Sequence, residues 1–274
     1  MTDRAALSVD FELFRHTPAY RKARGHLEDD TVGLGAVDYL LDSFDRYGAT
    51  ATFFVVSEVL EEHSHVVEHI ADAGHEIASH THTHRLLSDL SRETRLDELT
   101  RSRRLLAEPA GTDVVGFRAP AFDFPESFFA ELIEAGYEYD SSVNPCRRVP
   151  GFYGGDFVLR SPSPATVVDP SAPDGITEVP IGVSPRVRLP VSGAWIRLLG
   201  RRYSLWGTRR IAANGVAPVL YVHPWEFVDL PDVAGVPWRV TWRTGKWMRT
   251  TLERLLSTDL EFVTVGELAS DAHE

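Results

Sequence analysis

The chain has 274 residues, of which 43% are hydrophobic and 25% charged, values ordinary for a globular protein with a full core. A net charge of −12 at pH 7 would repel a phosphate backbone, so we expect no nucleic-acid partner. The single cysteine, Cys146, excludes an internal disulfide and a thiolate-based zinc site.

The chain start carries no secretory signal pattern, because Met1 to Arg4 lead directly into a short strand-like segment. No apolar stretch approaches the roughly 20 residues that a transmembrane helix requires. From these two features we expect a cytoplasmic protein without a membrane span.

Strand-like and helix-like segments alternate along most of the chain. The predicted strands cover residues 5–9, 50–56, 76–79, 114–117, 137–139, 219–222 and 262–264. The predicted helices cover residues 34–44, 59–70, 91–106, 125–135, 194–213 and 244–256, with Gly48 and Gly74 as stops and Ser57 as a cap. This order indicates a parallel sheet with crossover helices, open or closed into a barrel.

One region interrupts the alternation. Residues 149–190 are rich in Gly, Pro and Ser, and we predict long loops there with one or two short strands that shape a binding groove. No internal repeat or linker divides the chain, so we predict a single domain over residues 1–274.

Polar side chains follow several of the predicted strands. They are Asp10 with Glu12, His80 with His84, Arg118, Asp140 and His223. Each has an ordinary structural explanation when taken alone, such as a turn, an ion pair or packing. Because a parallel sheet brings the carboxyl ends of its strands to one rim, their joint occurrence indicates a functional site.

Three histidines in five positions, His80, His82 and His84, form the most distinctive part of this set. Imidazole is the commonest protein ligand of zinc and similar metals. If the segment stays extended, alternate residues share a face and His82 is a third ligand. If the chain turns after Ser79, His80 and His84 come together and His82 points away, which is the geometry we favour.

Two histidines and a carboxylate support metal-assisted hydrolysis, because the metal keeps an open position for water and polarises a carbonyl. A second carboxylate can take a proton from the water, and a distant histidine can protonate the leaving group. This set suits an amide or ester hydrolase. The same ligands also form the iron triad of oxygenases, but those sites lie in antiparallel β folds, which the alternation here disfavours.

At these residues the chain resembles the polysaccharide deacetylases, the NodB-homology family (carbohydrate esterase family 4-like), over most of its length. Residues 80–84 are similar to the family's H-[S/T]-x-x-H metal motif and residues 118–122 to its R-x-x-P-aromatic motif. Residues 139–142 and 222–227 resemble the later Asp and His motifs. The first motif departs from the usual T-F-D-D.

That first motif reads V-D-x-E, with Phe11 between Asp10 and Glu12. It resembles a subgroup that shares the F-R-A-P and H-P-W-E-F strings and is associated with exopolysaccharide and surface-glycan loci. The resemblance implies Asp10 as the base and Glu12 as the carboxylate ligand. Exchanged roles, or Asp10 in both roles, are the alternatives.

The resemblance also implies a fold and a mechanism: an irregular (β/α) barrel of about seven parallel strands, with one divalent metal ion, zinc as the first expectation. The implied ligands are His80, His84 and either Glu12 or Asp10. Asp10 would deprotonate the attacking water, and His223 would protonate the departing amine.

The resemblance also implies residues that position the catalytic groups and residues that contact the substrate. Arg118 would orient Asp10, and Asp140 would hold Arg118 or His223. Phe122, Trp225 and Pro120 are the expected substrate contacts, with core packing as an equal alternative for the two aromatic rings.

The function implied by the resemblance is removal of N-acetyl groups from the N-acetylated sugars of a polysaccharide, oligosaccharide or glycoconjugate. One alternative is a NodB-fold amidohydrolase that acts on a small non-sugar amide or cyclic ureide. Another is a non-catalytic glycan-binding relative with a relic site.

Overall fold

The computed structural model describes residues 2–27, 31–149 and 153–272. The strands are β1 (Arg4–Phe11), β2 (Thr52–Val55), β3 (Glu76–Ser79), β4 (Gly116–Phe117), β5 (Tyr139–Asp140), β6 (Ser163–Pro164), β7 (Thr177–Glu178), β8 (Val219–Val222) and β9 (Glu261–Val263). The α-helices are α1 (Pro18–Arg21), α2 (Val37–Tyr47), α3 (Leu60–Asp72), α4 (Arg92–Ala110), α5 (Phe128–Ala135), α6 (Gly193–Leu199), α7 (Arg201–Ala212), α8 (Trp238–Thr241), α9 (Lys246–Leu256) and α10 (Val265–Asp271).

The strands form one sheet in the order β6-β7-β5-β4-β3-β2-β1-β8, and β9 also pairs with β1. All pairs are parallel except β6 with β7. One edge of β1 therefore pairs with β2. Its other edge pairs with β9 along residues 4–6 and with β8 along residues 6–9. Because β8 and β9 come from the far end of the sequence, this sheet joins both halves of the chain.

Irregular backbone between β7 and β8 continues the sheet towards β8. Gly182 N donates to Val219 O at 2.7 Å, and Ser192 forms a parallel bridge with Tyr221. The architecture is thus the expected irregular (β/α) barrel. Within the described residues it has eight parallel strands and one antiparallel strand, where about seven parallel strands were predicted.

The barrel forms where the sequence is apolar on both sides of a strand or on one face of a helix. Residues 5–11 of β1 and all of β2 are buried, as expected for strands covered on both faces. Helix α2 buries Val37, Leu40, Leu41 and Phe44 against the sheet and ends at Gly48, whose φ of 61° is left-handed. Full burial of each large side chain contributes about 1.5–3 kcal/mol.

Two local predictions are wrong, and one helix with a clear start signal was missed. The helix predicted over 194–213 is two helices, because Gly200 (φ 94°, ψ 169°) takes the backbone out of the helical region. Ser57 does not cap a helix; it lies within a 3-10 turn, and its hydroxyl contacts His82. Helix α10 was not predicted, although Thr264 and Glu267 form a capping box at its start.

The loop-rich region contains the short strands β6 and β7, as predicted, and otherwise little regular structure. Residues 150–152 of this region, like residues 1 and 273–274 of the predicted single domain, lie outside the described residues. Across the described ranges, none of the helices combines the length and apolarity needed to cross a bilayer.

Candidate active site

The polar residues predicted to share a rim come together at the carboxyl ends of parallel strands. Asp10 is the penultimate residue of β1, and His80, Arg118 and His223 directly follow β3, β4 and β8. Asp10, Glu12, His80, His84 and Arg118 are all buried. Their shared position follows from strand direction, because parallel strands have their carboxyl ends at the same edge of the sheet.

The histidine segment adopts the turned geometry. Thr81 (φ 67°) and His84 (φ 55°) are left-handed, and His84 N donates to Thr81 Oγ1 at 3.0 Å. The rings of His80 and His84 lie 4.9 Å apart between centroids. His82 points elsewhere, with Nδ1 2.9 Å from Ser57 Oγ. His80 and His84 therefore face each other, and His82 is not part of the pair.

Two residues that the sequence did not reveal fasten this turn. The Glu98 carboxylate accepts hydrogen bonds from the backbone N–H groups of His82 and Thr83 at 2.9 and 2.8 Å. Arg21 donates to the carbonyl oxygens of His84 and Thr83 at 3.0 and 2.8 Å. Both side chains act on backbone atoms, so no spacing rule in the sequence marks them.

His80 is held as a neutral ring with a defined tautomer. Burial lowers its pKa to about 4, against the raising effect of nearby Asp10. Nδ1 lies 2.7 Å from the Arg118 carbonyl oxygen and therefore donates to it. The lone pair is thus on Nε2, as in histidines that ligate metals through Nε2.

Glu12 lies among three imidazoles. Its Oε2 is 2.9 Å from His84 Nε2, and its Oε1 is 3.7 Å from His223 Nε2. Burial works to raise the pKa of Glu12, but His84, His223 and His80 together hold it far below its ordinary value. Among the described residues, none makes a well-aligned hydrogen bond with the buried Oε2, whereas Oε1 accepts one from Trp225 Nε1 at 3.3 Å.

Asp10 is paired with a fully buried guanidinium. Arg118 Nη1 donates to Asp10 Oδ1 at 2.5 Å and to Ser8 Oγ at 2.7 Å. Ser141 accepts two further hydrogen bonds from Arg118, through its carbonyl and its hydroxyl, at 3.0 and 2.8 Å. The guanidinium also lies 4.0 Å above the Phe54 ring. Arg118 therefore holds Asp10 in one orientation.

Asp140 does not have the position expected of it. Within the described part of the chain it makes no ion pair with Arg118 or His223. It accepts hydrogen bonds from the Ser142 hydroxyl and backbone N–H at 2.6 and 3.1 Å, and it neighbours Glu178. Ser141, the next residue along, holds Arg118 instead, because residue 141 leaves the strand on the opposite side from residue 140.

A buried carboxylate holds His223. Glu226 Oε2 accepts from the His223 backbone N–H at 2.9 Å and lies 3.3 Å from Nδ1. Burial alone would lower the pKa of His223, but Glu226, followed by Glu12 and Asp10, raises it to about 9. Arg197 Nε in turn donates to Glu226 Oε1 at 2.7 Å. The H-P-W-E spacing was the available signal for Glu226; nothing local marked Arg197.

The three predicted substrate contacts pack closely around this rim. Trp225 is buried and stacks on His223 at 4.9 Å between centroids, with its N–H towards Glu12. Pro120 is buried as well. Phe122 is half-buried, and its ring lies 5.0 Å from that of Tyr221. All three therefore make packing contacts, and Phe122 retains an accessible surface.

Two other histidine features are distinct from the predicted set. Burial lowers the pKa of His16 to about 3, and its neutral ring stacks on His84 at 6.4 Å between centroids. No sequence signal marked it. His65 and His69, which are four residues apart on α3, are both exposed to solvent.

The donor set suits a divalent metal ion in its chemistry. The imidazoles of His80 and His84 and the Oε2 atom of Glu12 are of the ligand types that zinc binds in hydrolases. Among the residues that the structure describes, however, no three His, Cys, Asp or Glu side chains stand in the arrangement of a formed metal cluster. His84 Nε2 and Glu12 Oε2 instead contact each other directly.

The irregular (β/α) barrel matches the fold of NodB-like deacetylases. Residues 29–139 match the family described as Polysaccharide deacetylase, and residues 141–270 match a Domain of unknown function (DUF3473). Residues 29–139 thus belong to the polysaccharide deacetylase family, with NodB homology.

Two curated relatives illustrate the sequence similarity. A peptidoglycan deacetylase of Helicobacter pylori is 30% identical over 112 residues, covering 41% of this chain and 38% of the relative. A peptidoglycan-N-acetylglucosamine deacetylase of Bacillus cereus is 28% identical over 137 residues, covering 50% of this chain and 47% of the relative. The matched segments thus span less than half of these relatives.

Solved structures share the fold over nearly the whole chain. A Mycobacterium smegmatis protein assigned to the polysaccharide deacetylases has a TM-score of 0.66 at 23% identity, covering 99% of this chain and 91% of that one. A CE4 family pseudoenzyme from Bacillus anthracis has a TM-score of 0.53 at 14% identity, covering 98% and 66%. These similarities show the fold. The Bacillus anthracis protein has this fold and is described as a pseudoenzyme.

Proposed function

We propose that this protein is a metal-dependent hydrolase that removes N-acetyl groups from the sugars of a polysaccharide, oligosaccharide or glycoconjugate. The observation that carries the proposal is one buried rim on which Arg118 holds Asp10 while Glu226 holds His223. The relatives named as peptidoglycan deacetylases support an N-acetylated carbohydrate as the substrate.

His80, His84 and a carboxylate would hold the divalent ion, for which zinc is the first candidate. We favour Glu12 over Asp10 as that carboxylate, because Arg118 already engages Asp10 whereas Glu12 Oε2 has no aligned hydrogen bond. When bound, such an ion supplies Lewis-acid chemistry, activating water and polarising the acetyl carbonyl.

Asp10 would act as the general base. Its Oδ1 is committed to Arg118, which leaves the other carboxylate oxygen to accept a proton from the attacking water. The pair keeps Asp10 in one rotamer, so that the carboxylate needs little reorganisation when the proton moves.

His223 would act as the general acid. Glu226 engages Nδ1, so that Nε2–H points towards Glu12 and the rim. A pKa of about 9 keeps the ring protonated at neutral pH, as a group that must protonate a departing amine requires. Proton donation from Nε2 lets the sugar leave as the amine rather than as an unstable anion.

The proposal is tested by measuring acetate release from purified, metal-supplemented protein. The substrates are N-acetylated chito-oligosaccharides, nucleotide sugars and lipid-linked glycans, with a cyclic ureide as comparator. Acetate from at least one glycan and no ureide hydrolysis is the expected result. Ureide hydrolysis without acetate release would favour the small-amide alternative and contradict the proposal.

A further inference from the structure

The distribution of tryptophan and charge along the chain is strongly uneven. All six tryptophans lie between residues 195 and 247. The same segment holds eight basic residues and three acidic ones, in a chain whose net charge is −12. One part of the molecule is therefore basic and aromatic, while the remainder is strongly acidic.

Helix α7 presents part of this composition to solvent. Arg202, Trp206, Arg209 and Arg210 are exposed, and their spacing of four, three and one residues places them on one helix face. Trp206 is 49% exposed in the middle of that face. The opposite face, with Ser204, Gly207, Thr208 and Ile211, is buried.

The elements before and after α7 in the chain also expose apolar and aromatic side chains. Leu198 at the end of α6 and Trp238 at the start of α8 are 50% and 67% exposed. The Trp238 ring lies 5.5 Å from that of Trp242, and the Arg243 guanidinium lies 4.0 Å above Trp242. Arg243 Nη1 donates to the Arg197 carbonyl at 2.9 Å and so fastens this segment to α6.

We propose that the exposed side chains of α6, α7 and α8, here called the Trp/Arg surface, dock on an anionic lipid bilayer. Tryptophan rings are favoured at the membrane–water interface, and exposed leucines supply apolar area for the acyl boundary. Arginines around them attract lipid phosphates. The anionic bilayer repels the acidic remainder of the chain. This repulsion orients the protein with the Trp/Arg surface towards the membrane.

Arg197 on α6 connects the elements of the Trp/Arg surface to the proposed general acid. Arg197 donates through Nε to Glu226 and through Nη1 to the carbonyls of Arg239, Val240 and Trp242, at 3.0, 2.8 and 3.0 Å. Glu226 holds His223. Docking would thus bring the rim next to the bilayer, where the substrate would be a membrane-borne glycan; this last step rests on the proposed function, whereas docking itself does not.

Vesicle co-sedimentation tests the docking with the full chain. Wild type should bind vesicles of phosphatidylglycerol and phosphatidylcholine, bind pure phosphatidylcholine weakly, and dissociate as salt rises. The double variant Trp206→Ser/Trp238→Ser should lose at least about tenfold in partitioning. Charge reversal by Arg202→Glu/Arg209→Glu/Arg210→Glu should cost about 100-fold or more.

Matched substitutions elsewhere serve as controls. Val158, 76% exposed in the loop-rich region, and Arg104, exposed on α4, lie outside the Trp/Arg surface, so Val158→Ser and Arg104→Glu should leave vesicle binding unchanged. Circular dichroism confirms that every variant is folded. Acetate release from a soluble substrate should be the same in all of them, which separates docking from the proposed chemistry.

Three results would overturn the docking proposal. The first is folded wild type that does not bind anionic vesicles at low salt. The second is equal loss of binding in the control variants. The third is a concentration-dependent dimer, or binding to a soluble acidic polysaccharide, that the surface substitutions abolish while vesicle binding is absent.

Discussion

Arg118 Nη1 contacts Asp10 Oδ1 at 2.5 Å, and the Arg118 carbonyl oxygen accepts from His80 Nδ1 at 2.7 Å. One residue therefore orients both the proposed base and one proposed metal ligand, through its side chain and its backbone respectively. The contacts of Arg118 with Asp10, Ser8 and Ser141 compensate the cost of burying its charge in the barrel.

Metal content distinguishes His80 and His84 from His82. Purified wild type should hold about one divalent ion per chain, as a mononuclear zinc-type site does. His80→Ala or His84→Ala should abolish this content, because each removes a donor. His82→Ala, the control, should keep it, since His82 contacts Ser57 instead. Elemental analysis measures the result; full metal content in the His80 or His84 variants would refute the ligand assignment.

The pH profile reports on Glu226. Acetate release should fall as pH rises through about 9, where His223 loses its proton. In Glu226→Gln the pKa of His223 should drop, because a hydrogen-bonded negative charge is lost, and the alkaline limb should move to lower pH. The rate measured from pH 6 to 10 checks this. An unchanged alkaline limb in a folded, metal-loaded variant would show that Glu226 does not set the pKa of His223.

Position 193 requires glycine, because the Glu226 side chain occupies the space that a Cβ would take. A Cβ at position 193 would overlap the Glu226 carboxylate. Gly193→Ala should therefore displace Glu226, lower activity and cost about 1–3 kcal/mol of stability. Gly35→Ala is the control, because its Cβ would meet no atom of the described residues within 4 Å. Activity assays and denaturant unfolding compare the two variants; equal behaviour would contradict the steric argument.

Glu178 should make stability depend on pH. Burial, followed by the charge of Asp140, raises the pKa of Glu178 well above its ordinary value of 4.5. The folded state then keeps a proton that the unfolded state releases above about pH 4.5, so the free energy of unfolding falls as pH rises.

Replacement by an uncharged side chain removes this dependence. Glu178→Gln should gain stability relative to wild type at pH 7–8 and show little difference below pH 4.5. Urea unfolding at both ends of the range measures it. The exposed Glu138→Gln control should follow wild type throughout. A constant difference between Glu178→Gln and wild type at all pH values would contradict the argument.

The sequence predicted those parts of the site that follow from local pattern. Asp10, His80, Arg118 and His223 each end or follow a buried parallel strand, and strand direction then brings them to one rim. The turn that separates His82 from His80 and His84 was also predictable as one of two geometries. Such features depend on short segments and on the shared direction of parallel strands.

The parts that escaped prediction depend on long-range contacts. Arg197 reaches Glu226 from another element, and Asp140 neighbours Glu178 rather than Arg118. Glu178 lies in the loop-rich region, where no periodicity fixes the direction of a side chain. Arg197 lies on α6, and no local pattern marks the carboxylate that it contacts. The break at Gly200 was missed because a single glycine inside an apolar pattern only weakens a helix prediction.

Acetate release by wild type and Asp10→Asn, measured side by side on N-acetylated chito-oligosaccharides or whichever glycan the screen identifies, tests the central claim most directly. Asparagine keeps the shape of the side chain next to Arg118 but cannot accept the proton. At equal metal loading, the variant should be slower by about 100- to 10,000-fold. Turnover by Asp10→Asn at the wild-type rate, with metal bound, would contradict the assignment of Asp10 as the base.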